Sequence, residues 1–95
     1  MSANDPVLRD LADIYARLEA FELAVDAHRL RSRRAVPGSL AWLDARYGLA
    51  LALYRTGKAE EARRIIDATA ILHPELGGGN LSEKFKRLRE RLQVD

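Results

Sequence analysis

The sequence predicts an all-α fold: two stacked antiparallel helix–turn–helix hairpins, with a fifth helix capping the open end. Three observations carry that prediction. No stretch alternates apolar and polar residues over more than a few positions, so strand signals are absent. Apolar residues recur at helical spacing in five separate segments. Only 3 prolines and 6 glycines interrupt the 95 residues, which favours long helices.

Asp5-Pro6 opens the first helix, since aspartate caps well and proline fits the first helical position. Behind it Val7, Leu8, Leu11, Ile14, Tyr15 and Leu18 make one broad apolar face. A break at Glu19-Ala20 leads to a second helix, with Phe21, Ala24, Val25, His28 and Leu30 facing inward. Val36-Pro37-Gly38-Ser39 is the clearest turn, and Ser39 can cap the helix after it. The third helix runs from about Leu40 to Thr56 and ends at Gly57 in a left-handed cap. The fourth runs from about Ala59 to Leu72, because Pro74 disfavours helical geometry in its predecessor. Gly77-Gly78-Gly79 reads as a flexible connector, and Asn80 with Glu83 as a capping box. Leu81, Phe85, Leu88 and Leu92 then form the apolar stripe of a fifth helix whose other face carries Lys84, Lys86, Arg87, Arg89 and Arg91.

Composition bounds the function. At 47% hydrophobic and 32% charged residues, the chain has an ordinary globular balance and length for one small domain. No apolar run approaches the roughly 20 residues of a membrane span, so no membrane partner is expected. Met1-Ser2-Ala3-Asn4-Asp5 lacks the basic start and apolar core of a signal peptide, which leaves a cytoplasmic setting as the default. The absence of cysteine excludes disulfides, a thiolate nucleophile and zinc–thiolate sites. Charge is unevenly spread. Residues 1–27 carry two arginines against six carboxylates, and residues 28–95 carry fourteen cations against eight.

Sliding the sequence on itself by 38 residues aligns Leu11-Ala12 with Leu49-Ala50, and Ala24 with Ala62. Each half has a long helix, a tight turn, a second helix and a proline-containing break, and such units must stack to bury their faces. At these residues the chain resembles the tetratricopeptide repeat family. The second unit supplies Leu49-Ala50, Leu53, Gly57, Ala62, Ile66 and Pro74; the first supplies Leu8, Leu11-Ala12, Tyr15, Ala24, His28 and Pro37. Arg46 stands in the bulky slot of the second unit, and Arg31 and Thr69 stand where a small residue is usual. The resemblance implies one α-solenoid domain over residues 1–95, with repeats at about 5–38 and 39–76 and a cap at about 80–93.

It also implies a non-catalytic scaffold whose first helices line a groove for a peptide or a partner protein. By repeat position, the groove residues would be Arg9, Asp13 and Arg17 from the first unit, and Tyr47, Leu51, Tyr54 and Arg55 from the second. Arg9-x-x-x-Asp13 departs from the Lys-x-x-x-Asn pair of the family's carboxylate-gripping members. The residues alone leave a second account of the third helix open, since a helix apolar all round is normally buried all round.

No catalytic, metal or cofactor constellation competes with this reading. His28 and His73 are not grouped with carboxylates at ligand spacing. The glycine triplet lacks the preceding strand and following Gly-Lys of a phosphate loop. Two other function classes stay open: a nucleic-acid-binding domain using Arg31, Arg33, Arg34 and the fifth helix, and a regulatory subunit of a larger enzyme. No aromatics interleave with the arginines, so base stacking is unsupported and the charged runs read as solvated faces. The opposed charge of the first and last helices makes a homodimer a further partner class.

Overall fold

The computed structural model describes residues 5–94, and these form five α-helices and no strand. The helices are α1 (Asp5–Arg17), α2 (Phe21–Arg34), α3 (Leu40–Arg55), α4 (Ala59–Leu72) and α5 (Gly79–Val94). Residues 1–4 and 95 lie outside the described residues, and with them most of the Met1–Asp5 segment on which the signal-peptide expectation rests. Among the described residues no helix is long and apolar enough to cross a membrane.

Three-residue joints connect α1 to α2 and α3 to α4, so each pair folds back as an antiparallel hairpin. The two joints are built alike, with their left-handed residues 38 positions apart. In the first, Glu19 adopts φ +59° and the Ala20 amide donates to the Tyr15 carbonyl over 2.8 Å. In the second, Gly57 adopts φ +83° and the Lys58 amide donates to the Leu53 carbonyl over 2.9 Å. Both are the left-handed, six-to-one helix ending that glycine favours. Helix α2 packs on α3, which joins the hairpins, and α5 lies over α3 and α4. The radius of gyration, 12.4 Å, equals the roughly 12 Å expected for a compact globule of this length. The hairpins therefore close on one another instead of opening into a rod.

Helix α3 is the centre of the molecule, touching all four others. Leu43, Ala45, Gly48, Leu49, Ala50, Ala52 and Leu53 are buried on its several sides. Small residues allow this approach: Ala12 and Ala50, and likewise Ala24 and Ala62, are at most 1% exposed. The main core joins Ala24 and Val25 of α2 with α3, with Ala62 and Ile66 of α4, and with Phe85, Leu88 and Leu92 of α5. Phe85 and Leu92 are fully buried, so the fifth helix is a lid over the hydrophobic centre. Arg63 of α4 holds the lid's far end by donating through Nε and Nη2 to the Leu92 carbonyl.

The caps divide. Ser39 accepts from the Trp42 amide at 3.2 Å, as its position before α3 predicts. Asn80 does not cap α5, which begins one residue earlier; the first helical bond runs from the Ser82 amide to the Gly78 carbonyl. Asp5 likewise lies within α1, and its carboxylate reaches Arg31. The glycine run follows a left-handed path: Leu76, Gly77, Gly78 and Gly79 all have positive φ, between 49° and 85°. A series of side chains could not hold that left-handed path.

The expected broad face of α1 is divided too. Leu8 and Ala12 are buried and Tyr15 is half-buried, whereas Val7, Leu11, Ile14 and Leu18 are exposed. The reason is placement at the edge: α1 packs chiefly against α2, and one neighbour covers one narrow stripe.

Candidate functional site

A cleft of about 260 Å³ opens between α1 and α3, with α2 at its back and α5 at its rim. Its walls come from helix positions set by the packing just described. Ala12 and Ala24 permit close approach, Gly48 leaves space for the His28 ring, and Tyr47 and Leu51 lie one turn apart on α3.

Five of the seven residues expected to line a groove meet here: Arg9, Asp13, Tyr47, Leu51 and Arg55. Arg17 and Tyr54 do not. Arg17 is exposed on the last turn of α1, where Ala16 and Phe21 close the cleft in its place. Tyr54 lies two turns beyond Tyr47 and packs against the main core. Tyr47 and Leu51 are half-buried and also touch that core, so this face of α3 is partly wall and partly interior.

A charge cluster centred on the buried Arg31 adjoins the cleft, which Arg31, His28 and Asp44 help to line. Arg31 is 1% exposed; its Nε and Nη2 donate to the Asp5 carboxylate at 2.7 and 3.1 Å, and Nη2 also donates to Asp44 at 2.7 Å. Its Nη1 donates to His28 Nδ1 at 3.0 Å. Burial alone would lower the guanidinium's affinity for its proton, but the bonds to Asp5 and Asp44 outweigh it and hold Arg31 above its ordinary range. The His28 pKa falls to about 4, mainly through burial and then through the neighbouring Arg31 charge, which the carboxylates of Asp44, Asp13 and Asp5 offset in part. His28 is therefore neutral at physiological pH, with Nδ1 as an acceptor. Arg31 pins α1, α2 and α3 together, and it is not part of a solvated basic face as its run of arginines suggests.

Cations stand over aromatic rings at the mouth. The Arg55 guanidinium lies 5.7 Å from the Phe21 centroid, and Lys84 of α5 lies 6.0 Å from that of Tyr47. The Tyr47 ring packs edge-on to Phe85 at 5.4 Å, which ties the cleft floor to the lid. Burial raises the Tyr47 hydroxyl above its usual range, so it stays a neutral donor. Outside the Arg31 cluster the lining carries Arg9, Arg55 and Lys84 against Asp13, a positive balance.

Residues that sequence reasoning missed include Phe21, Gly48 and Lys84. Gly48 carries a signal, since a glycine inside a helix with no turn to make implies a close approach. Lys84 carries none, because only the docking of α5 brings it to the mouth. The two departures at Arg46 and Thr69 explain each other: Arg46 Nε donates to Thr69 Oγ1 at 3.1 Å, and Thr69 donates to the Ile65 carbonyl at 2.6 Å. Arg46 also lies 5.2 Å from the centroid of Trp42, whose ring meets His73 edge-on at 5.3 Å.

A cleft of this size is below the roughly 300–1,000 Å³ of small-molecule sites and suits one or two side chains. Among the described residues no three His, Asp or Glu side chains gather in a metal-holding group. Comparison with protein-family models, with curated proteins and with solved structures finds no match.

Proposed function

We propose that the chain is a non-catalytic, cytoplasmic interaction module of the tetratricopeptide type, which grips a short acidic segment of a partner protein in the cleft between α1 and α3. The observation that carries this reading is the composition of the mouth. Arg9, Arg55 and Lys84 line the cleft with the half-buried Tyr47 and Leu51, while the buried Arg31 is satisfied by the part-exposed Asp5 and Asp44. Tyrosine with a flanking arginine gives contact area, a polar tip and charge selection together. The repeat reading draws support from the matching joints at Glu19 and Gly57 and from the equal burial of the paired alanines.

A nucleic-acid interface has less behind it. Arg31 is internal, Arg29 lies 3.7 Å from Glu61, and Arg89 lies 2.8 Å from Asp67.

Selection from a random peptide library displayed on phage tests the proposal. Enriched peptides should carry Asp or Glu beside an apolar residue, should bind more weakly as salt rises, and should be lost on Arg9→Glu with Arg55→Glu. Enrichment indifferent to that double change, or no enrichment above a blank surface, would contradict it.

A further inference from the structure

We propose that the outward face of α1 is a self-association surface, on which α1 of a second copy of this chain packs antiparallel about a two-fold axis. Leu11, Ile14 and Leu18 are 37, 49 and 71% exposed, and Val7 one turn earlier is 54% exposed. Soluble monomers scatter such side chains singly; here Val7, Leu11 and Ile14 line one face of α1, and Leu18, the first residue of the joint, continues that line just past the helix end. Their spacing of four, three and four residues is the 3.5-residue period of a two-helix seam.

The charges beside that stripe select the occupant. In an antiparallel pair centred between Leu11 and Ile14, Leu11 of each chain meets Ile14 of the other, and Val7 meets Leu18. The positions immediately before Leu11 and Leu18 are Asp10 and Arg17, both exposed. Flanking residues of the same side face one another across an antiparallel seam, so Asp10 of each copy meets Arg17 of the other. One helix thus supplies both halves of two ion pairs, the self-complementarity that a two-fold interface demands. Arg17, absent from the cleft, has a place here.

The cleft is left open by this contact. Arg9 and Asp13 lie about half a turn around α1 from Leu11, Ile14 and Leu18. A dimer so formed presents two clefts, which raises its hold on a partner with repeated acidic segments.

Light scattering on the full chain tests the proposal. The wild type should weigh twice its 10.7 kDa. Asp10→Arg alone or Arg17→Asp alone sets like charges against each other at both ends of the seam and should weaken the dimer by about tenfold. The two changes combined restore opposite pairing and should restore the dimer. Leu11→Glu with Ile14→Glu should give a single-chain mass with unchanged helical circular dichroism, since both side chains are exposed. A wild-type mass of one chain up to about 500 µM, a range that includes weak transient contacts, would overturn the proposal. So would a dimer that survives the Leu11 and Ile14 changes, or a combined Asp10 and Arg17 variant no better than the singles.

Discussion

Replacing Gly48 by Ala sets two known effects against each other, and the geometry decides the winner. In mid-helix the change should stabilise by about 1 kcal/mol, because alanine has less backbone freedom to lose. A Cβ on Gly48, however, would lie 2.4, 2.5 and 2.7 Å from Cε1, Nδ1 and Nε2 of His28. That ring is buried and cannot swing aside cheaply. Its Nδ1 accepts from Arg31, which two carboxylates hold in turn. Forcing extra volume into such a site costs about 1–3 kcal/mol, and contact with three atoms argues for the upper end. The net expectation is a loss of about 1–2 kcal/mol, or a melting point lower by about 4–15 °C in a domain of this size. Urea unfolding followed by circular dichroism measures it. With the ring removed by His28→Ala, the same Gly48→Ala change should turn neutral or stabilising. If Gly48→Ala stabilises the unmodified chain, α2 and α3 do not approach closely at the His28 ring, and the clash that predicts the loss is refuted.

The fold sets three other outcomes. Phe85→Ala, at a side chain with no exposure, should cost about 3–5 kcal/mol and be read as a lower urea midpoint with the slope unchanged; a loss under about 1 kcal/mol would mean the lid is not seated. Glu19→Gly relieves a left-handed residue at the position equivalent to Gly57 and should stabilise by about 1 kcal/mol; a fall in melting point would refute the shared joint geometry. Because the His28 pKa falls from 6.5 to about 4 on folding, the unfolded chain binds the extra proton between those values. Stability from this group is present above about pH 6.5 and is lost as pH falls toward 4, by up to about 3 kcal/mol. Urea midpoints measured across that window should drop in the wild type and flatten in His28→Gln, and parallel slopes would exclude His28 as the source.

The helix boundaries were legible where the chain carries its own punctuation. Ser39, Gly57 and Pro74 act within a few residues of themselves, and α3 and α4 fall within a residue of the expected bounds. The lid was legible for the same kind of reason, as Phe85, Leu88 and Leu92 repeat on one helical stripe. What long-range packing decides was not legible. Arg31 sits in an arginine-rich run that reads as solvated, yet Asp5 and Asp44 reach it from 26 and 13 residues away. The face of α1 was ambiguous because apolar residues cover more of its circumference than one neighbour can bury. Five of the residues expected in a groove line one cleft; Arg17 and Tyr54 do not, since Arg17 is exposed on the last turn of α1 and the Tyr54 ring packs on the core.

The central claim is that the cleft between α1 and α3, and not the basic outer face of α5, receives an acidic segment. Titrating a pool of short acidic peptides into the ¹⁵N-labelled chain, with amide shifts followed by NMR, tests it most directly. Shifts should cluster at Arg9, Asp13, Tyr47, Leu51 and Arg55 and fade as salt rises, with Lys86 and Arg89 on the far face of α5 unmoved. Shifts confined to α5 and to Arg33 and Arg34, or no shifts at millimolar peptide, would contradict the assignment of the cleft.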